Sequence, residues 1–505
     1  MKEKFIVSVV SQLVSSIVFT FAFYLLFLNL DKPSLGIWAL LNSIINLGFL
    51  FINIGLDVIH YQYSGKINYA DYFGTFLIIK LFVLLINVVI SISLIIIISF
   101  TKFWVSDFLV LLGFLLLSKI LFNIANVFFI NLKSRLKIFK SEIPAFIITI
   151  GKSVSLLFVS LNISYFSEPL LFICVSIFIF DLLYLILILV FSKNEYKINK
   201  PRKDLVLLYL KDAKPLFFFS ITLVLATNLG NLILDYSFGH ESLANFSFIN
   251  TYVIQILLVL SSSIITIYLP LFSKFFESGD IETIKRITYL IEKYSSIIFL
   301  SIIIIVLING DLIIHIFLPQ YVETIPILYI MVFIPFFLSI TQPYSYHFIA
   351  GKNQKINAYI NSLTRTLIIV LMIFLIPTRL FFLYALGWGE IGYAIAQTLP
   401  WIIWVFVNRY YSFKIYNISP QKSIVLHVSI ASGSFLISYF IRYLILEKII
   451  LNHILILIIS STVSLGTFFG FLFVFRELKR EDLRFLLQLA NLKSYRDSLK
   501  GEFLK

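Results

Sequence analysis

Five charged side chains fall well inside long apolar runs of this 505-residue sequence: Lys80, Lys119, Lys152, Arg365 and Asp181. At 1.5 Å per helical residue, Lys152 and Arg365 lie roughly 15 and 18 Å from the basic-flanked ends of their runs, and Lys80 roughly 12 Å. Lys119 is also central, and Asp181 sits roughly 18 Å from the opposite end of its run. A charge at that depth is costly against hydrocarbon and marks an internal path or a pair. Four bases against one acid suit an anion, and arginine grips phosphate oxygens bidentately. Arg365, Lys152, Lys119 and Lys80 are therefore the expected cavity cations. Two other readings stay open: Lys80 can snorkel to headgroups, and Lys119 or Lys152 can pair with Asp181. Asn42, Asn250 and Gln255 are expected neutral hydrogen-bonding partners for a polar ligand, although such amides also stitch membrane helices together. Asp181 and Asp57 are the first-half acids that could couple transport to an ion. Arg442 and Asp235, near run ends, are expected at the interface.

Other chemistries lack a basis. The six histidines (60, 240, 315, 347, 427, 453) show no i,i+4 pairing and have no thiolate companions, so no metal is expected. A single cysteine, Cys174, forms no internal disulfide. Gly387-Trp388-Gly389-Glu390-Ile391-Gly392 satisfies G-x-G-x-x-G but follows no strand of a βαβ unit. Neither a P-loop nor a nucleophile elbow occurs. No cofactor and no enzymatic activity are expected.

The elements that position these residues follow from composition. Hydrophobic residues make up 60% of the chain, charged ones 13%, and the mean hydropathy is +0.99. A soluble domain is about half apolar and a quarter charged, so this is a polytopic membrane protein. Apolar runs long enough to cross about 30 Å of hydrocarbon fall at 5–30, 35–59, 72–100, 105–131, 142–165, 169–192, 213–238, 242–273, 285–309, 324–350, 353–377, 389–411, 422–447 and 452–476. They are apolar on all sides, which excludes the period-two alternation of a membrane β-barrel. The first run is too long for a signal peptide's apolar core and lacks a small-residue cleavage site.

The net charge of +14 is distributed unevenly. With the N-terminus placed in the cytoplasm, 30 of the 40 Lys and Arg fall in cytoplasmic segments and 4 in the opposite loops. One missed or invented span would scramble that asymmetry, so both termini are expected in the cytoplasm of a cell-membrane protein. The basic segment from Arg476 to Lys505 is expected to lie as an amphipathic helix on the inner leaflet.

The basic connection from Ser192 to Lys214, with a short amphipathic stretch at Leu205–Leu210, divides six spans from eight. A pattern crosses the divide: Ser34-Leu35 with Trp38 and Asn42, and Ser242-Leu243 with Phe246 and Asn250, offset by 208 residues. Two halves of the same in–out sense imply a pseudo-twofold axis along the membrane normal. The expected domains are an N-terminal lobe at 1–200, a C-terminal lobe at 201–415, two additional spans at 416–476 and a basic tail at 477–505.

Several segments carry a resemblance. Leu35-Gly36-Ile37-Trp38-Ala39-Leu40, Asn46-Leu47-Gly48 and Ile54-Gly55-Leu56-Asp57 stand in the first half. Tyr268-Leu269-Pro270-Leu271-Phe272-Ser273-Lys274, Ser278-Gly279-Asp280, Asn309-Gly310-Asp311 and Gln320-Tyr321-Val322-Glu323 stand in the second. In order and placement these resemble the polysaccharide-exporting (Wzx-type) branch of the multidrug/oligosaccharidyl-lipid/polysaccharide exporter superfamily. The resemblance implies an all-α MATE-like fold, with about 14 membrane helices in two pseudo-symmetric six-helix lobes around a cavity plus two C-terminal helices. It implies a flippase that moves an undecaprenyl-diphosphate-linked oligosaccharide outward by alternating access. The implied partners are that lipid, the membrane and other polysaccharide-assembly proteins, with no nucleic acid.

The chain departs from the related peptidoglycan-precursor flippases, whose cavity cations sit on the first, second and eighth spans. Here those spans offer Ser11, Gln12, Ser15, Ser16, Asn42, Asn46, Asn53, Asn250 and Gln255, and no buried base. A polymerase or glycosyltransferase would need larger outer loops with paired carboxylates. A cation-coupled exporter of small drugs on the same fold would favour acids in its cavity.

Overall fold

A chain that is apolar on every side can satisfy its backbone N–H and C=O groups in lipid only within helices, and helices are what form. The structure, a computed structural model, describes residues 2–52, 54–63, 69–99, 106–135, 137–193, 198–258, 268–380, 383–446 and 452–478. In chain order the helices are α1 (Lys2–Asn29), α2 (Lys32–Gly48), α3 (Leu56–Tyr63), α4 (Tyr69–Ser99), α5 (Ser106–Ser134), α6 (Ile138–Leu161), α7 (Pro169–Ser192), α8 (Lys203–Phe238) and α9 (His240–Phe248). Then follow α10 (Tyr268–Ser278), α11 (Ile281–Phe317), α12 (Ile325–Met331), α13 (Ile334–Ala350), α14 (Gln354–Leu375), α15 (Gly389–Tyr416), α16 (Ser423–Ile441) and α17 (His453–Val474). Among the described residues, eleven helical segments are long and apolar enough to cross a membrane. The expected tail helix lies almost wholly outside the described residues, which end at Leu478.

The expected span at 35–59 is not one helix. α2 ends at Gly48, the chain turns, and α3 restarts at Leu56 after Gly55, whose φ of 82° is a left-handed conformation that suits glycine. The break leaves backbone groups without helical partners, and neighbouring side chains take them up. Phe51 N–H donates to Asn87 Oδ1 at 2.9 Å, and Lys80 Nζ donates to the Ile52 carbonyl at 2.9 Å. Irregular backbone in a membrane protein survives where protein groups satisfy it in this way.

Two other boundaries differ from the sequence reading. The amphipathic stretch at Leu205–Leu210 is no separate element, because α8 runs unbroken through it for 36 residues. Its approach is tied to α4: Arg202 N–H donates to Thr75 Oγ1 at 3.2 Å, and Asn199 Nδ2 bonds Asp71 Oδ1. α11 begins earlier than expected because Asp280 caps it, accepting from Thr283 N–H at 3.0 Å. The G-x-G-x-x-G segment leads into a helix: Gly387 and Trp388 precede α15, and Gly389 to Gly392 form its first turn. The segment follows an antiparallel pair of two-residue strands, β1 (Arg379–Leu380) and β2 (Leu383–Tyr384), with Arg379 opposite Tyr384. Gly389 N–H donates to the Ile376 carbonyl at 3.1 Å, and a Cβ on Gly392 would stand 2.5 Å from the Leu375 carbonyl.

The chain forms two compact units, residues 1–252 with 354–400, and residues 253–353 with 401–505. In the first, α1 packs on α6, α7 lies between α5 and α6, and α2 contacts α4, α5, α8 and α9, while α14 lies on α8. The basic connection at 193–214 lies within this unit. In the second, α11 is central and carries α13, α16 and α17. Its core gathers Phe299, Ile303, Ile308, Val332, Phe336 and Phe468, all at most 5% exposed.

Candidate functional site

The helices that carry the 208-residue echo, α2 and α9, pack face to face in the first unit. They approach so closely that a Cβ on Gly36 would collide with the His240 carbonyl. Beside this contact lies a hollow of 430 Å³, within the ~300–1,000 Å³ range of small-molecule sites. Phe19, Phe23 and Phe27 of α1, Leu35, Trp38 and Ala39 of α2, Leu156 of α6 and Ile177 of α7 supply its apolar wall. Its polar wall is Asn42, Ser43 and Asn46 of α2, Lys152 of α6, Thr227, Asn228 and Asn231 of α8, Ser247 of α9, and Asn250 and Thr251 beyond it. The two asparagines of the echo, Asn42 and Asn250, thus line the same space.

Helical spacing explains the polar stripe. Asn42 and Asn46 are four residues apart on α2, and Asn228 and Asn231 three apart on α8, so each pair shares a face. Asn46 Nδ2 donates to Asn228 Oδ1 at 3.2 Å, and Asn231 Nδ2 to Ser43 Oγ at 2.8 Å, joining the two helices. Tyr393 OH donates to Asn231 Oδ1 at 2.9 Å, and its ring stacks on Phe246 at 3.7 Å. Asn42 Nδ2 donates to the Trp38 carbonyl at 2.8 Å, which leaves its amide oxygen available. The α9 helix continues into a π-turn at Ile249–Ile254, a wider winding often found at functional sites, and this turn carries Asn250.

The bases are placed differently from one another. Lys152 lines the hollow with 20% of its side chain exposed, and its ammonium stands 2.5 Å from Asp181 Oδ1. Ser118 Oγ donates to the other Asp181 oxygen at 2.5 Å. Of the two bases that could pair with Asp181, Lys152 does. Lys119 instead donates to Asn46 Oδ1 at 3.0 Å, one residue behind the wall. Lys80 is 4% exposed and neither snorkels nor faces the hollow. Its ammonium holds Ile52 O and stands 2.5 Å from Asp57, so it secures the broken second span. Arg365 sits on α14, partly exposed and outside the lining. Gln255 belongs to the second unit, is exposed and is likewise outside the lining. The expected excess of deep positive charge is thereby reduced, since Asp57 and Asp181 each hold a lysine.

The two residues expected at the interface, Arg442 and Asp235, are each buried against a partner. Arg442, 1% exposed, makes a bidentate pair with Asp311 at 2.7 and 2.5 Å. Asp235, 3% exposed, accepts from His240 Nδ1 at 2.6 Å. That bond raises the His240 pKa above its usual 6.5, against the opposing effect of partial burial. Arg442 and Asp311 are 131 residues apart, beyond the reach of a run-by-run reading, whereas Asp235 and His240 meet across the turn at Gly239. The second unit holds another such pair, Glu292 with Arg409 at 2.7 Å. Among the described residues no group of His, Cys, Asp and Glu is arranged to hold a metal ion.

No protein-family model and no curated protein matches the chain. Solved structures do match in fold. The structure titled "Lipid II flippase MurJ, inward closed conformation" is similar over 93% of this chain and 100% of its own, with a TM-score of 0.69 at 17% identity. An inward-facing multidrug resistance MATE family transporter of the MOP superfamily is similar over 82% of this chain and 99% of its own, with a TM-score of 0.59 at 10% identity. A MOP superfamily transporter from Pyrococcus furiosus is similar over 84% and 94%, with a TM-score of 0.51 at 11% identity. The chain is an all-α, multi-pass membrane protein of the MATE-like fold. Within that class, the lipid II flippase structure is the one of these three that it matches over the greatest length.

Proposed function

We propose that the protein is a flippase for a lipid-linked oligosaccharide, carried on an undecaprenyl-diphosphate anchor from the cytoplasmic to the outer leaflet by alternating access. The observation that carries this reading is the hollow: five asparagines, two serines, two threonines and a tryptophan in one membrane-embedded space. Amides and hydroxyls both donate and accept, which suits sugar hydroxyls, and an indole face suits the apolar face of a pyranose. The match to a lipid II flippase along its whole length supports the same class of cargo. We assign Arg365 on α14 to the diphosphate, because guanidinium matches phosphate oxygens bidentately. Lys119 and Lys152 border the hollow already engaged, so an ion-coupling step through Asp181 or Asp57 would have to open a lysine pair. The lysine and arginine asymmetry supports a cell-membrane protein with both termini cytoplasmic.

A small-drug exporter is the competing reading. Its cationic cargo would want a carboxylate on the wall, and among the described residues no carboxylate lines this hollow. The deciding experiment reconstitutes the full chain in vesicles with a fluorescent lipid-diphosphate-oligosaccharide and measures its exposure to an external quencher. Protein-dependent equilibration across the leaflets, slowed in Arg365→Ala, supports the proposal. Export of cationic drugs without lipid flipping contradicts it.

A further inference from the structure

We infer that the hollow is a neutral-saccharide subsite, with Asp181 as a resident counter-ion that keeps anions out of it. The inference rests on the flippase reading and says which part of the cargo the hollow takes. Among the described residues Lys152 is the one charged member of the lining, and Asp181 pairs with it at 2.5 Å. Asp181 is held in turn by Ser118 on the neighbouring helix, so the carboxylate cannot swing away without losing two partners. From the helices packed on α7, the charged groups near Asp181 are Lys152 of α6 and Lys119 of α5, and Lys119 is bound to Asn46. An anion entering the hollow would meet a Lys152 ammonium already paired with a carboxylate, so much of its attraction for the anion is offset.

The neutral groups point the other way. Asn46, Asn228 and Asn231 are fixed by bonds across α2 and α8, so their remaining donors and acceptors are pre-oriented. Among the described residues Asn250 has no side-chain hydrogen-bond partner, and it lines the hollow. Trp38 lines the same hollow. A rigid bracket of amides beside an aromatic face matches vicinal hydroxyls and the C–H face of a sugar ring better than it matches a diphosphate.

The test is calorimetric titration of the purified full chain with a panel of neutral mono- to trisaccharides of glucose, galactose, mannose and their N-acetylated forms, and with inorganic pyrophosphate. At least one neutral sugar should bind, about tenfold more weakly in Asn250→Ala. That variant removes no internal bond, so its thermal midpoint should stay at the wild-type value. Pyrophosphate should not bind wild type, and Asp181→Asn, with Lys152 released, should gain pyrophosphate binding that Lys152→Met in the same chain abolishes. Should Asp181→Asn fail to fold, Ser118→Ala is the second route, and a weaker gain is expected. A silent sugar panel, or wild-type pyrophosphate binding that Lys152→Met removes, overturns the inference. Lipid flipping with a silent panel leaves the flippase reading standing and sinks this one, whereas sugar binding without flipping does the reverse.

Discussion

Replacing Lys80 with methionine keeps the apolar stem and removes the ammonium that closes the break in the second span. Two groups lose their partner: the Asp57 carboxylate at 2.5 Å and the Ile52 carbonyl at 2.9 Å. Breaking a buried pair from one side costs about 3–5 kcal/mol. The Asp57 side chain is 23% exposed, so water relieves part of that, and about 2–3 kcal/mol is expected. At 1.4 kcal/mol per decade this is roughly 30–150-fold in the opening equilibrium. Cys174, the single cysteine, is 0% exposed in α7 of the same unit, so its reaction rate with a maleimide reports that opening. The double variant Lys80→Met/Asp57→Asn should recover most of the loss, leaving about 1 kcal/mol for the unbonded carbonyl. A wild-type labelling rate in Lys80→Met, with flipping abolished, would refute the structural role and return the lysine to the cargo.

Other perturbations test separate parts of the structure. The His240 pKa is raised in the fold, so its bond to Asp235 should stabilise fully below pH ~6.5 and fade as pH rises through the raised value. The side chain of His240 is 30% exposed, so the effect should stay under about 1 kcal/mol, and His240→Gln should flatten the pH dependence of Cys174 labelling between pH 6 and 8. Gly36→Ala forces a methyl into the His240 carbonyl and should lower stability by about 1–3 kcal/mol, measured the same way; an unchanged rate would mean α2 and α9 do not touch there. Arg442→Met strands Asp311 and should lower the thermal midpoint of tryptophan fluorescence, with Asp311→Asn restoring much of it.

Much of the fold was legible because hydrocarbon leaves a helix few alternatives. The run at 169–192 coincides with α7 residue for residue. What could not be read was where a helix breaks while its hydropathy continues. Nothing in Phe49–Ile52 is polar, and the turn there depends on Asn87 and Lys80, which arrive from α4 only in three dimensions. The site was legible in part. Asn42 and Asn250 could be picked out by the echo, and both line the hollow. Asn228 and Asn231 carry only a weak signal in the sequence, their i,i+3 spacing on one face of α8. Which deep cations are paired was not legible, because a count of charges along the chain cannot see which of them meet. Lys80 finds Asp57 and Lys152 finds Asp181 only once α3, α4, α6 and α7 are packed.

The measurement closest to the central claim is flipping in vesicles that contain the full-length protein and a dithionite-quenchable undecaprenyl-diphosphate-oligosaccharide. The expected result is a fraction of cargo that becomes quenchable only with protein present, with a rate lowered at least tenfold in Asn42→Ala/Asn250→Ala while Cys174 stays protected. Equal rates in empty and protein-containing vesicles, or a double variant that flips at the wild-type rate, would contradict it.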